Sequence, residues 1–212
     1  VLMAGPVFGQ FGLIVLRVSG EEEARQIMNS EPSVVHGVHT YDLYEMITSL
    51  MANNIYRGRY PAEQSNRELV REAVVKCTPA TAWQKWTTNE GVRSFFSPNT
   101  NVELRVGGPY EIYFDMSAPP GERGSEDCRI LSYLPERMLS FEWNAPPQFG
   151  PLRQIKTRVV ITFEAMGNDS TKVTLHHVGW GVDKGWNEIY DYFDHAWGLV
   201  MDSFSKSIAE EN

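Results

Sequence analysis

Lys184 to Ile208 constrains the fold of this chain more than any other stretch. It is long enough for a helix of about 37 Å. At 100° per residue, Trp186, Ile189, Tyr190, Phe193, Trp197, Val200, Met201, Phe204 and Ile208 fall on one face. Glu188, Asp191, His195, Asp202 and Lys206 fall on the other. A helix sorted in this way must bury one face. Its large aromatic side chains exceed what a helix needs merely to lie on a sheet, and Asp194 sits at their edge. A pocket against this helix is therefore expected.

The 212 residues suit one large domain or one domain plus a fragment, and 42% hydrophobic residues are ample for a core. Lys and Arg total 19 against 27 Asp and Glu, a net charge of −8 with no basic run, which would repel a phosphate backbone. Nucleic acid is not an expected partner. Cys77 and Cys128 form no CxxC motif and no disulfide framework, which fits a reducing cytoplasm, a single bridge being the alternative. The apolar opening VLMAGPVFGQFGLIVLRV has no basic leading region and is broken by Gly5, Pro6, Gly9, Gln10 and Gly12, so neither a signal peptide nor a membrane span is expected. Opening on Val rather than Met, the chain is expected to be a fragment or a processed form.

Residues 1–51 read as a small α+β segment. Phe11 to Val18 reads as a buried strand, Ser19 as the cap of a helix from Gly20 to Asn29, and His39 to Met46 as another strand. His36 and His39 near Glu31 lack a third metal ligand and read as a solvated loop. The order Gly5-Pro6, strand, helix start at Ser19 to Ala24, Glu31-Pro32, Gly37 and last strand resembles the second half of a YCII-related domain. That resemblance implies a ferredoxin-like fragment that pairs, either on the main domain or in a homodimer. Glu31 stands where that family has Asp, and its His has no counterpart, so no catalytic residue carries over.

Residues 52–67, with Asn53-Asn54, Gly58 and Pro61 and no apolar period, read as a linker, and residues 68–212 as the main domain. There the spacing predicts a strand (68–76), two short helices (80–87, 90–95) and strands over 101–106, 109–116, 125–134, 138–144, 157–165 and 171–177, then the long helix. Val159, Ile161 and Phe163, and Val173 and Leu175, alternate with outward residues. Turns fall at Gly107-Gly108, Pro119-Pro120-Gly121, Pro135 to Arg137 and Gly167 to Ser170. This is the pattern of a curved antiparallel sheet around one helix.

The blocks REAVVKCTPATAWQKWTTNEGVRSFFSP, NVELRVGGPYEIYF, RILSYLPERMLSFEW, VVITFEAMGNDSTKVTLHHVGW and WNEIYDYFDHAWGLVMDSF resemble, in order, the activator-of-heat-shock-protein-ATPase-like family. That family lies within the START-like, Bet v 1-like helix-grip (SRPBCC) superfamily. The resemblance spans Glu68 to Asn212 and implies an α+β helix-grip fold whose relatives include lipid carriers, cyclases and co-chaperone domains.

Tyr110, Ile112 and Phe114 share one strand face, Phe141 and Trp143 another, and with Trp186, Tyr190, Phe193 and Trp197 they are the expected pocket lining, the alternative being plain core. His176 and His177 face opposite ways, so both cannot serve one metal. His177 points inward, as a base or a ligand-orienting group with Asp194 or Tyr190 as partner, or as a hydrogen-bonded core histidine. Arg105, Arg129 and Arg153 read as isolated surface charges. No Gly-x-Ser-x-Gly motif, phosphate-cradling loop or paired-Cys site is present, so no catalytic residue, cofactor or metal is assigned. The expected function is binding of a hydrophobic or aromatic small molecule. The rivals are a co-chaperone module acting on a heat-shock chaperone and a cyclase or hydrolase using the same cavity.

Overall fold

A computed structural model describes residues 3–7, 11–16, 18–44, 58–167 and 169–210, divided into two compact units, Val1–Glu45 and Met46–Asn212.

In the first unit β1 (Met3–Val7) pairs antiparallel with β2 (Phe11–Val15), followed by α1 (Glu21–Asn29) and the short α2 (Pro32–Val35). The hairpin partner β1 was not anticipated, because Gly5-Pro6 reads as a break. Ser19 does not cap α1. The cap position is Gly20, and Ser19 instead donates its backbone N–H (2.8 Å) and hydroxyl (2.7 Å) to the Glu23 carboxylate, one residue outside the cap. Glu31 caps α2 by accepting from the Ser33 and Val34 N–H groups, with Pro32 in the first turn where its missing N–H costs nothing. The expected strand from His39 is absent over 39–44, and its last residues lie outside the described ones.

In the second unit β3 (Leu69–Val75), α3 (Pro79–Thr87), α4 (Asn89–Arg93), β4 (Asn99–Val102), β5 (Tyr110–Tyr113), β6 (Ile130–Leu134), β7 (Met138–Trp143), β8 (Thr157–Ala165), β9 (Thr171–Val178) and α5 (Gly185–Ala209) follow in order. The antiparallel order β3-β9-β8-β7-β6 forms one sheet, and β4-β5 a second pair. Bridges Pro109↔Arg129 and Tyr113↔Gly124 join the two, so the surface curves on around α5. Gly124 permits this join: a Cβ there would stand 1.9 Å from the Ile112 carbonyl oxygen.

Thr78 and Thr88 cap α3 and α4 through their hydroxyls. The Asn89 amide exchanges two 2.9 Å hydrogen bonds with the Val102 backbone and pins α4 to β4. Inward residues of β8 and β9 (Val159, Ile161, Phe163, Val173, Leu175, His177) are buried as the alternation requires. On α5 the N-terminal stretch packs closed with Trp186 and Ile189. The C-terminal stretch packs Phe204 against Trp86 (5.6 Å) and Phe95 (5.4 Å).

Residues 58–67, expected as a linker, run across the outer face of the sheet. Arg59 O accepts from Lys156 N, Ser65 N donates to Trp180 O, and Arg158 Nη2 donates to Gln64 Oε1 at 2.6 Å. This segment buries Glu142, whose carboxylate takes the Arg59 fork and the Tyr60 hydroxyl. Both cysteines are free. Burial pushes the Cys128 thiol up to about 12, which makes it inert.

Candidate functional site

Between the concave sheet and the middle of α5 the side chains leave a cavity of about 500 Å³, within the ordinary range of small-molecule sites, about 300–1,000 Å³. Three groups of residues build it. Phe96, Trp143, Phe193 and Trp197 make an aromatic base, with ring centroids of Trp143–Trp197 5.2 Å apart and Phe96–Trp143 5.7 Å apart. Phe114, more than half exposed, and Tyr192 stand at the mouth. A polar wall comes from the loop after β5 (Asp115, Ala118, Glu122, Arg123, Gly124) and the β7–β8 connection (Asn144, Pro146, Pro147, Arg153). Ala196 and Val200 complete the α5 side.

Of the expected lining, Phe114, Trp143, Phe193 and Trp197 are brought together here. Tyr110, Ile112, Phe141 and Trp186 are placed in closed core; the Tyr110 and Phe141 rings stack at 4.0 Å. Tyr190 lies at the β3 side, its hydroxyl donating to Glu68 O and its ring covered by Arg67 at 3.9 Å. Asp194 is paired with Arg71 at 2.6 Å, half exposed. The physical reason is helical pitch. The cavity stripe Phe193, Ala196, Trp197, Val200 is one i, i+3, i+4, i+7 row, and Tyr190 and Asp194 project to its β3 side. Ala196 in that row, and Tyr192 one turn before it, were the recoverable signal.

His177 is fully buried behind Trp197 and its partners are neither Asp194 nor Tyr190. Trp197 Nε1–H donates to Nδ1 at 2.9 Å. An indole N–H only donates, so Nδ1 is the acceptor and Nε2 carries the proton, donating to Thr157 Oγ1 at 2.6 Å. Both ring nitrogens are committed, which holds the Trp197 ring at the cavity base and leaves no nitrogen for a ligand. Burial lowers the His177 pKa well below 6.5. The unfolded chain therefore binds a proton that the folded one refuses. This stability contribution is complete above pH 6.5 and is lost progressively as pH falls below it. We expect unfolding free energy to fall between pH 6.5 and 5 by up to about 1.4 kcal/mol per pH unit, and His177→Gln, which keeps an acceptor and a donor, to flatten that slope. Equal slopes in denaturant titrations of both proteins would refute it.

Arg153 corrects the surface reading. Only 5% exposed, it donates from Nε to Gly121 O (2.7 Å), Nη1 to Ala145 O (2.6 Å) and Nη2 to Gly124 O (2.6 Å). Desolvation pulls its pKa down from the ordinary value, against the pull of Glu126. Arg105 and Arg129 are exposed, paired with Glu103 and Asp127. Among the described residues no group of three His, Cys, Asp or Glu is placed to hold a metal ion. None of the described helices is long and apolar enough to cross a membrane.

A curved antiparallel sheet gripping one long C-terminal helix over a cavity defines the helix-grip class. Residues 76–209, more than half of the chain, match the family described as Activator of Hsp90 ATPase homolog 1-like protein, and the chain belongs to that family. Solved structures of the same fold include protein MLL2253 from Mesorhizobium loti (16% identity, TM-score 0.56, covering 69% of this chain and 99% of that one). The Aha1 dimer from Colwellia psychrerythraea is similar at 14% identity and TM-score 0.52, over 67% and 96% of the two chains. Protein NE0264 from Nitrosomonas europaea is similar at 16% identity and TM-score 0.51, over 68% and 96%. No curated protein matches the sequence. The match begins at residue 76, so the YCII-related resemblance of the first unit gains nothing from it.

Proposed function

We propose that this protein binds a hydrophobic or aromatic small molecule in the cavity between its sheet and α5. The observation that carries this reading is the cavity itself. About 500 Å³ is left open beneath a helix whose neighbouring turns are packed shut, although filling it with larger side chains would add dispersion and burial energy. Its aromatic base suits a flat ring system. The test fills it from α5. Ala196→Phe projects a ring into the space, and calorimetric titration with 2-naphthol is expected to show binding to the parent and at least about tenfold weaker binding to the variant, with Tm unchanged. Equal affinities would overturn the reading.

A second reading follows from the family description and from a solved relative named for the same activator: an interaction module that stimulates a ninety-kilodalton heat-shock protein ATPase. Chaperone ATPase rates with and without this protein separate it from simple ligand binding. No rate change removes it. We further propose that the first unit is a YCII-related fragment through which the protein forms a homodimer, and that the protein works in the cytoplasm. Light scattering of the full chain at the mass of one protomer would remove the dimer.

A further inference from the structure

We propose that the cavity takes an aromatic carboxylate, its ring on the Trp143 and Trp197 base and its anionic group at the Arg123 and Arg153 wall. This rests on the cavity-binding reading above and deepens it.

The two ends of the cavity differ in kind. One is aromatic and buried; the other holds the largely buried guanidinium of Arg153. The hydrogen-bonded acceptors of Arg153 are three neutral carbonyl oxygens. Its nearest carboxylate, Glu126, stands 3.5 Å away, and both of that carboxylate's oxygens already accept backbone N–H groups, Oε1 from Gly121 at 2.8 Å and Oε2 from Arg123 at 2.7 Å. Three carbonyl oxygens and the Glu126 carboxylate thus hold the Arg153 guanidinium at the cavity wall, where a low-dielectric surrounding makes charge felt.

Arg123 adds a fork with capacity to spare. Its Nε donates to Ala118 O at 2.9 Å, and among the described residues its two terminal nitrogens have no hydrogen-bond partner. A planar guanidinium with both terminal nitrogens available matches a carboxylate in two-point contact, and such pairs are stronger than neutral ones. Two acids also border the cavity, Asp115 and Glu122, and they would favour a cation. Both are exposed, and Asp115 Oδ1 already accepts from the Ser117 N–H (2.9 Å) and hydroxyl (2.6 Å). Water and salt screen exposed charges much more than buried ones, so Asp115 and Glu122 oppose a bound anion less than their number suggests, and the Arg123 fork is the group left to receive it.

The experiment compares three probes of one shape and different charge at pH 7, by calorimetric titration: 2-naphthoate, 2-naphthamide and 2-naphthylmethylammonium. The parent is expected to bind naphthoate at least about tenfold more tightly than naphthamide, and the ammonium most weakly. In Arg123→Gln the gap is expected to shrink to about threefold or less with naphthamide affinity unchanged. Arg153→Met is expected to do the same where it folds; Arg123→Gln, at a half-exposed site, carries the test where it does not. Naphthamide or the ammonium binding as tightly as naphthoate would overturn the carboxylate assignment while leaving cavity binding intact. A gap that survives Arg123→Gln would overturn the role of the wall. Failure of all three probes to bind would overturn both readings.

Discussion

Phe141→Ala is expected to lower the unfolding free energy by about 4 kcal/mol, read as a large drop in the urea midpoint at unchanged slope. The ring is fully buried, stacked on Tyr110 and edge-on to Trp143 at 5.9 Å. Tyr110 in turn donates its hydroxyl to Trp86 O at 3.0 Å. Removing the ring opens a void among groups held by hydrogen bonds and by the β6–β7–β8 ladder, which cannot collapse into it. The same substitution separates two roles for this residue. A loss below about 1.5 kcal/mol, accompanied by a loss of 2-naphthol affinity, would return Phe141 from the core to the cavity lining.

The second large effect lies on the opposite face of the same strand. Glu142→Ala is expected to cost about 4 kcal/mol, because it leaves the Arg59 guanidinium and the Tyr60 hydroxyl without the carboxylate that satisfies them. Arg59 retains Asp127, at 2.6 Å, as a partly exposed partner. The carboxylate hydrogen bonds of Glu142 hold the Arg59 pKa above its ordinary value, the direction expected of a strongly compensated cation. Replacing both partners, Arg59→Met with Glu142→Met, is expected to cost clearly less than Glu142→Ala alone, since no orphaned charge remains. A single-variant loss below about 1 kcal/mol, or a double variant as unstable as the single, would show that residues 58–67 are not clamped to the sheet through this pair.

The two expectations come from neighbours in sequence, and they were not equally legible. Phe141 and Trp143 alternate with Glu142, so which way each points follows from the pleat. That Glu142 is nevertheless buried depends on a covering segment, 58–67, that is mostly polar and has no apolar period, which composition presents as a loose connection. Polar side chains in such a segment are invisible as packing until their partner, here more than eighty residues away, is known. Arg153 was misread for the same reason: a lone charge looks exposed until three carbonyls from two separate connections converge on it.

The site divides along the same line. Phe193 and Trp197 are legible from helical periodicity, and Trp143 from strand alternation, because each depends on local geometry alone. Whether an inward aromatic meets a ligand or another aromatic depends on the spacing between elements. Trp186 and Trp197 belong to one helix face, yet only the second borders open space.

The order of strands and α-helices after residue 68 and the buried face of α5 were determined by the sequence by itself, through period, caps and turn residues acting over a few positions; the 3-10 helix Pro147–Gln154 was not. The first unit was legible only in part: β2 and α1 lie where the local pattern places them, whereas no strand forms over 39–44 and β1 runs across Gly5-Pro6. Only the tertiary structure decided that the middle of α5 stands over a cavity while its ends are closed. It alone put Tyr190 and Asp194 to the β3 side, and a buried guanidinium in the wall. These are properties of the distances between non-adjacent elements, which no local pattern encodes.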